Sequence, residues 1–534
     1  MNRIGIVAGV LLFFAASTSA QQPVISSVFN AASNTPSAHP SGGISQGGMF
    51  TVTGSNMGPA NVQLATSFPL PTTLAGTSIS VTVSGTTTQA IVVLTSASQV
   101  SAILRSNTPT GTGTLVLRYN GVASAARTVQ VVSATFGIYT RNNEGTGPAF
   151  VTNASGQFLD RLNPASPSQT VSIWGTGLGA ITGDETQSGS GSVTANVEVL
   201  VGSANAAVVS RGRVGAGLDQ ITFVVPPGQV GCNISIAVKV NNSVSNFASM
   251  AVSNGGPCSD PGGLSSEAVQ RLEGQGGVRQ GTIFLTKTTS TITFPTTTTT
   301  VAEFAGGSFT SMDEETYLRL QSSVSIGSCV VTNFSGQTPP AAPAATPLDA
   351  GSPIRVNGPN GEKQVPRSSQ SPGLYSLDLG TYMGAGSYTI TGPGGADVGP
   401  FEVSFNIVSP FVWSNSDITT VNRGQNLVIT WAGGPTGPNA LVVIAGYSAV
   451  INSDNSSFGA YYVCLAPADA GQFTVPSTVL LALPASGVIS GPGFSIALGN
   501  IAVGGYFYTS FTAPGLDYGY AGYTETFQKT LAYE

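Results

Sequence analysis

One phrase occurs twice in this chain, and the repetition constrains the fold more than any other sequence feature. Residues 47–58 read GGMFTVTGSNMG and residues 168–179 read SQTVSIWGTGLG, so that Gly58 aligns with Gly179 at an offset of 121 residues. The same offset aligns RYNGVAS with KVNNSVS further along the chain. A repeat of this length is a whole domain rather than a solenoid unit. The sequence therefore predicts two tandem copies of one domain.

Short runs of alternating apolar residues follow one another through both copies. Examples are SISVTVSG at 78–85 in the first copy and QITFVVP at 220–226 in the second. Clusters of Gly, Pro, Asn and Ser separate the runs, as turns separate strands. Many short strands with frequent turns are typical of an immunoglobulin-like β-sandwich. We therefore predict an all-β chain with tandem immunoglobulin-like sandwiches, followed by further β-rich C-terminal domains.

The predicted domain boundaries follow the turn-rich breaks in this pattern. Pro410 is interpreted as a hinge into the last domain, and SEAVQRLEG is a short helix signal capped by Ser265 or Ser266. The predicted parts, in chain order, are a signal peptide at 1–20, an immunoglobulin-like domain at 21–140, a second at 141–258, a linker with a short helix at 259–280, a β-rich domain at 281–409 and a β-sandwich-like domain at 410–534.

The N-terminus has the pattern of a secretory signal peptide. Arg3 is followed by an apolar run at 4–16, and the small residues Thr18-Ser19-Ala20 form a cleavage site. A membrane anchor is the alternative, but the apolar run is too short to span a bilayer. We expect a protein that is secreted or held at the bacterial cell surface, without membrane insertion after signal cleavage.

Charge is scarce throughout the chain, which excludes one class of partner. Charged residues make up 8% of the sequence, with 18 Lys and Arg and a formal net charge of −6. A nucleic-acid partner requires a basic face, and the sequence shows none. The expected partner is an extracellular glycan or a surface protein of unknown identity.

Four cysteines are present, and an even number in an exported chain favours two disulfides. Cys232 and Cys258 bracket the last strands of the second copy and form the easiest pair. Cys329 would then pair with Cys464. This is one of three pairings, and the sequence does not choose between them. Because no CxxC spacing occurs, we predict neither a metal site nor a cofactor.

Several longer phrases carry a family resemblance. PLPTTLAGTSISVTVSG at 69–85, FGIYTRNNEGTGPAFVTNASG at 136–156 and NPASPSQTVSIWGTGLGAIT at 163–182 resemble the Solibacter-type uncharacterised C-terminal domain family. That family is a pair of immunoglobulin-like sandwiches in exported bacterial proteins. The glycine phrase is also similar to the opening of IPT/TIG domains. The resemblance covers roughly 25–252, here at the N-terminal end of the chain, and implies no activity and no site residues.

The chain lacks the usual catalytic patterns. Its one histidine, His39, lies in a Ser/Pro/Gly-rich segment and is predicted to be a surface-loop residue. Most Ser–His–acid and Cys–His designs are therefore excluded. GTGLG at 175–179 is interpreted as a turn rather than a nucleotide loop. We predict a protein that is not an enzyme and has no catalytic residues, with a histidine-independent, carboxylate-dependent hydrolase as an alternative.

The best candidate binding residues are tyrosines near the C-terminus. DYGYAGY contains Tyr518 and Tyr520, which share a strand face, and Tyr523. Exposed tyrosines there could stack on sugar rings or form a protein-binding patch, and buried ones would fill the last sandwich. We predict a non-catalytic structural or adhesive protein, with carbohydrate binding through these tyrosines as an alternative.

Overall fold

The structure is a computed structural model. The described residues are 21–35, 39–187, 191–260, 265–275, 277–293, 296–313, 316, 324–335, 345–369, 371, 373–452, 456–491 and 494–534. The predicted signal peptide at 1–20 lies outside them. Of the helices within these ranges, none has both the length and the apolar character to cross a membrane.

The first domain is a sandwich of two sheets. The five-stranded sheet has the order β1-β3-β9-β8-β4, and the seven-stranded sheet has the order β2-β12-β10-β6-β5 with β11 and β7 attached. The strands are β1 (Val24–Asn30), β2 (Ile44–Ser45), β3 (Met49–Ser55), β4 (Gln63–Leu64), β5 (Thr73–Leu74), β6 (Thr77–Val83), β7 (Thr86–Gln89), β8 (Ile91–Thr95), β9 (Gln99–Ile103), β10 (Gly111–Tyr119), β11 (Val122–Ala123) and β12 (Arg127–Val132).

The alternation predicted from the sequence builds this core. Along β6, Ile79, Val81 and Val83 are buried while the residues between them are half-buried. Side chains two residues apart lie on one face of a strand, so each run presents an apolar row to the opposite sheet. Burial of each such side chain stabilises the fold by about 1.5–3 kcal/mol.

The second domain repeats the same strand pairing. Its sheet has the order β13-β15-β18-β17-β16-β19-β20, with β14 and β21 attached. The strands are β13 (Gly137–Ile138), β14 (Val151–Asn153), β15 (Thr170–Thr176), β16 (Val197–Val201), β17 (Ala204–Gly215), β18 (Leu218–Val224), β19 (Gly231–Val240), β20 (Ser243–Val244) and β21 (Ala248–Val252).

The duplication extends to the register of paired residues. In the first domain Val52 of β3 lies opposite Val100 of β9. In the second, Ile173 of β15 lies opposite Ile221 of β18, and both positions are shifted by the same 121 residues. The predicted tandem immunoglobulin-like sandwiches are confirmed.

Two glycines at equivalent positions of the two copies are needed for the same steric reason. Gly54 lies against the β1 backbone, where an added Cβ would overlap the carbonyl oxygen of Val24. Gly175 lies against β13, where a Cβ would overlap the carbonyl oxygen of Gly137. Both glycines therefore allow a neighbouring strand to approach more closely than any side chain would permit.

The C-terminal half is built on one large sheet. Its order is β24-β35-β34-β39-β40-β22-β23-β25, with β28 attached to β23. The elements are α1 (Ser266–Gln275), β22 (Gly277–Thr293), β23 (Thr297–Asp313), β24 (Cys329–Ser335), β25 (Thr346–Pro347), β26 (Ile354–Gly358), β27 (Gly361–Val365), β28 (Leu374–Asp378), β29 (Gly386–Gly392), β30 (Phe401–Ile407), β31 (Phe411–Trp413), β32 (Thr420–Val421), β33 (Leu427–Gly433), β34 (Ala440–Ile451), β35 (Ser457–Pro467), a 3₁₀ turn (Ala468–Ala470), β36 (Gln472–Val475), a short helix (Ser477–Leu481), β37 (Val488–Gly491), β38 (Phe494–Ala497), β39 (Gly499–Phe511), β40 (Tyr518–Thr530) and β41 (Ala532–Tyr533).

This sheet crosses the boundary that was predicted at Pro410. β22 pairs in parallel with β40, from Gln280 opposite Tyr518 to Thr291 opposite Lys529. Strands from 281–409 and from 410–534 are therefore hydrogen-bonded side by side, and the two predicted domains share their central sheet. Alternation of apolar residues identifies a strand but carries no information about its partner, which explains the difference.

Two smaller sheets cover the same face of the large sheet. The four-stranded sheet β27-β26-β29-β30 packs on one part, and the three-stranded sheet β31-β33-β36 packs on another. The core beneath the three-stranded sheet contains Ile444 and Val503, which are register partners. The core beneath the four-stranded sheet contains Tyr523. Phe507, the register partner of Tyr523, contacts both cores.

Two further predictions match the structure. The cysteines form Cys232–Cys258 and Cys329–Cys464, which is the favoured one of the three pairings. The linker contains α1, and the amide of Ala268 donates a hydrogen bond of 3.1 Å to the Ser265 hydroxyl. This contact satisfies one of the free amides at the helix N-terminus.

The close approach at Gly175 predicts a specific loss of stability. We expect Gly175→Ala to lower the free energy of unfolding by about 1–3 kcal/mol, because the added methyl group forces β15 away from β13. Chemical denaturation monitored by tryptophan fluorescence measures the change. Gly306→Ala is the matched control, since Gly306 is also a strand glycine and has open space around its Cβ position. Equal stability of the two variants would contradict this explanation.

Candidate functional site

The three candidate tyrosines lie on β40 but do not form one surface. Tyr518 and Tyr520 are two residues apart on one face, with ring centroids 5.4 Å apart. Tyr523 is on the opposite face and is 1% exposed in the core. The structure therefore brings two of the predicted residues together and separates the third, because an odd spacing in a strand changes the face.

The Tyr518–Tyr520 face carries a row of aromatic rings. Tyr520 contacts Tyr508 edge-on at 5.8 Å, and Tyr508 lies 5.9 Å from Tyr506, which stacks on Phe284 at 5.1 Å. Edge-to-face and offset contacts of this kind stabilise buried aromatic clusters.

The hydroxyl groups of this row are held in different environments. The Tyr518 hydroxyl donates to the side-chain oxygen of Gln280. Burial raises the pKa of Tyr508 to about 12, with further contributions from Tyr520 and Asp260. Tyr518 and Tyr520 themselves are half-buried. Sugar stacking on these two rings stays a prediction, and the packing of their neighbours is that of a core.

Tyr523 borders a small cavity between the large sheet and its four-stranded cover. The cavity has a volume of about 70 Å³, and its charged lining residues are Lys287 and Glu525. Glu525 accepts hydrogen bonds from the Phe411 amide at 2.9 Å and pairs with Lys287 at 3.3 Å. The Tyr523 hydroxyl is buried and has no partner within the described ranges. The cavity exceeds the ~10–15 Å³ that a site needs to hold a water.

The glycine loop of the second copy binds the carboxylate of Asp219, a residue of the same domain. The amides of Gly177 and Leu178 donate to one carboxylate oxygen of Asp219 at 2.7 and 2.8 Å. The other carboxylate oxygen accepts from Nε of Arg213, and both side chains are 0% exposed. Burial raises the pKa of Asp219, and the Arg213 guanidinium and the two amides oppose that rise.

This ion pair belongs to the second copy only. Asp219 aligns with Ser98 at the offset of 121 residues. Arg211 and Thr95 lie opposite the equivalent residues Ile221 and Val100, so Arg213, two residues after Arg211, corresponds to Ala97. Sequence reasoning missed both residues, although this difference between otherwise similar copies was a usable signal. Residues 175 and 176 belong to the end of β15, and 177–179 follow as a loop that forms an internal carboxylate site.

The loop also joins the two sandwiches. The amide of Met49 donates to the Thr176 hydroxyl at 2.8 Å, and the amide of Ser106 donates to Glu185 at 2.6 Å. A Cβ on Gly47 would lie 2.9 Å from Nη1 of Arg213. The ion pair is therefore at the interface of the two copies.

A second buried polar cluster connects the second domain to the C-terminal half. Arg161 pairs with Glu273 of α1 at 3.3 Å, and its guanidinium donates to Asn233 at 3.0 Å. Asp260 accepts from the Cys232 amide at 3.0 Å and from the Ser325 hydroxyl at 2.7 Å. Burial raises the pKa of Asp260, and the hydrogen bond from Ser325 is the largest opposing effect.

His39 is buried, and its predicted position in a surface loop is wrong. It is 4% exposed, Nε2 donates to the Phe334 carbonyl at 3.2 Å, and its ring meets Phe458 edge-on at 5.3 Å. Its polar neighbours in sequence predicted a loop, but β24 and β35, far along the chain, cover that loop. Burial lowers the pKa of His39.

The described residues contain no group of three or more His, Cys, Asp or Glu side chains that could hold a metal ion.

Among the known proteins compared with this chain, matches occur with solved structures. No protein-family model matches the chain. No curated protein matches its sequence. Solved structures that are similar include the plexin A4 extracellular region, with 14% identity, 45% of this chain and 19% of that chain covered and a TM-score of 0.16.

Two further similar structures consist of consecutive domains. Domains 5-6 of the S-layer protein SbsC show 14% identity over 43% of this chain and 98% of theirs, with a TM-score of 0.17. The I9-I11 tandem from titin shows 10% identity over 69% and 95%, with a TM-score of 0.11. The chain spans 19% and 31% of two plexin A4 structures. The assignment of β-sandwiches is therefore based on the strand pairing in this structure and not on these superpositions.

The buried ion pair predicts a non-additive response to mutation. Asp219→Asn leaves the Arg213 charge buried without a counter-charge, and we expect a loss of about 3–5 kcal/mol in the free energy of unfolding. The double variant Arg213→Val plus Asp219→Ser, which removes both charges, should lose less. Urea denaturation of both variants measures the difference, and a larger loss in the double variant would refute the interpretation.

The burial of His39 predicts a pH effect with a defined sign. Its pKa is lowered in the folded state, so the unfolded chain binds a proton more readily. The contribution of neutral His39 is complete above about pH 6.5 and falls as pH drops below that value. We expect the difference in unfolding free energy between the wild type and His39→Gln to shrink between pH 7.5 and 5. Parallel pH profiles would show that His39 does not cause the effect.

Proposed function

We propose that the protein is an exported, non-catalytic structural protein of the cell surface or extracellular space. In this proposal its β-sandwich domains form one rigid scaffold that positions binding surfaces. The observation that carries the proposal is that the second domain and the C-terminal half share one buried core instead of being connected only by a linker.

The longest shared core supports the rigid-scaffold part of the proposal. Leu200, Ala237 and Phe247 of the second domain are buried in the same cluster as Val331 and Tyr462 of the large C-terminal sheet. A shared apolar core of this kind favours a fixed arrangement of the two domains over free domain motion. Spacer and adhesive proteins depend on such rigidity because it sets the distance between their ends.

The two disulfides support export. Both Cys232–Cys258 and Cys329–Cys464 are buried bonds, and such bonds form and persist in oxidising compartments. The signal-peptide pattern at 1–20 agrees with this location.

The experiment that tests the proposal has two readouts. We expect expression of the full chain in a bacterial host to place a product beginning at Gln21 in the surface or extracellular fraction, with no free thiol. We expect small-angle scattering of that product to fit one conformation. An uncleaved cytoplasmic product would refute export, and a scattering curve that requires independently moving domains would refute the rigid scaffold.

A further inference from the structure

The hairpin of β22 and β23 ends in an unpaired edge. Its register is unbroken from Gly277 opposite Asp313 to Thr293 opposite Thr297. The outer side of β23 pairs with β25 at Thr310 and Ser311 and with β28 between Phe304 and Ser308. In the described part of the chain, no strand pairs with the outer side of Thr298–Ala302, which we call the open edge.

The direction of the backbone groups follows from neighbouring contacts. The Glu303 carbonyl accepts from the Leu379 amide at 2.8 Å, so Glu303 directs its backbone groups outward. Successive residues of an antiparallel pair alternate between inward and outward. Thr299 and Val301 therefore also direct their N–H and C=O groups outward, and those groups have no backbone partner within the described ranges.

The open edge lacks the features that normally prevent strand addition. Natural edge strands are protected by charges, proline or bulges. The sequence TTTVA has none of them, its residues favour strands, and all five are exposed, with Val301 at 58%. The nearest acid, Glu303, is 3% exposed and accepts hydrogen bonds from the Tyr382 and Met383 amides, both at 2.6 Å.

We infer that the open edge pairs antiparallel with the open edge of a second copy of this chain. In the two-fold register Thr300 lies opposite itself and Thr299 lies opposite Val301, so each outward N–H meets the carbonyl of its partner. The two Thr300 side chains then face each other, and cross-strand threonines interact. The hairpin already uses such a pair, since the hydroxyls of Thr291 and Thr299 lie 3.3 Å apart.

A second copy fits this edge better than a charged peptide does. The formal net charge of the chain is −6, yet the two facing edges carry no charge, so they meet without local repulsion. An isologous contact also makes both edges unavailable at once and closes the assembly as a dimer. The two large sheets would become one continuous sheet across the two-fold axis.

This inference goes beyond the proposed scaffold role and does not depend on it. A monomeric chain could still be an exported scaffold, and a dimer could form in any compartment. Because the contact is a short strand pair, we expect a weak, concentration-dependent dimer of the low-area class.

Sedimentation equilibrium of the full chain tests the inference. We expect reversible dimerisation, and we expect Val301→Lys to weaken it at least about tenfold because it places a charge on the paired edge. Val209→Lys is the matched control, since Val209 is a strand valine that is 60% exposed elsewhere. A monomer at all concentrations would overturn the inference, as would equal effects of the two lysine variants.

Cross-linking gives a second test, in which no charge is introduced that could disturb folding. Thr300→Cys should form a covalent dimer on mild oxidation, because the register places the two introduced cysteines opposite each other. Thr112→Cys, at an exposed strand position of the first domain, should remain monomeric. Equal dimer yields for the two variants would overturn the inference.

Discussion

The parallel pairing of β22 with β40 holds the C-terminal half together. It joins Gly277–Thr293 to Tyr518–Thr530, segments separated by nearly the whole of that half. Both smaller sheets pack on the large sheet that contains this pair. The large sheet therefore forms one side of each of the two cores. Without the large sheet, neither smaller sheet could bury its apolar face, because an isolated sheet of three or four strands leaves that face in water.

The two N-terminal copies show how one scaffold acquires different roles. The register of β3 with β9 is repeated by β15 with β18, and Gly54 and Gly175 solve the same steric problem against a neighbouring backbone. Only the second copy carries Arg213 and Asp219, and it places them against the first copy. A buried ion pair adds little net stability, but it is costly to break.

Particular residues show how far sequence reasoning reaches. The strands, α1 and the repeat depend on local patterns, and they were predictable. Tyr523 was grouped with Tyr518 and Tyr520 because the three are close in sequence, yet it faces the opposite side of the sheet. His39 was assigned to the surface because its neighbours are polar, and it is buried by Phe334 and Phe458. Both errors concern what covers a residue, which depends on distant segments.

The sequence by itself determined that this protein is all-β and that one domain occurs twice. Those features follow from the period of two along a strand and from the constant offset of the repeated phrases, which are read from the sequence alone. Only the tertiary structure decided which strands pair, which side of β40 is covered and which edge of β23 is left open. Strand pairing is a long-range choice made by hydrogen bonds and shared cores, and alternation is compatible with many partners.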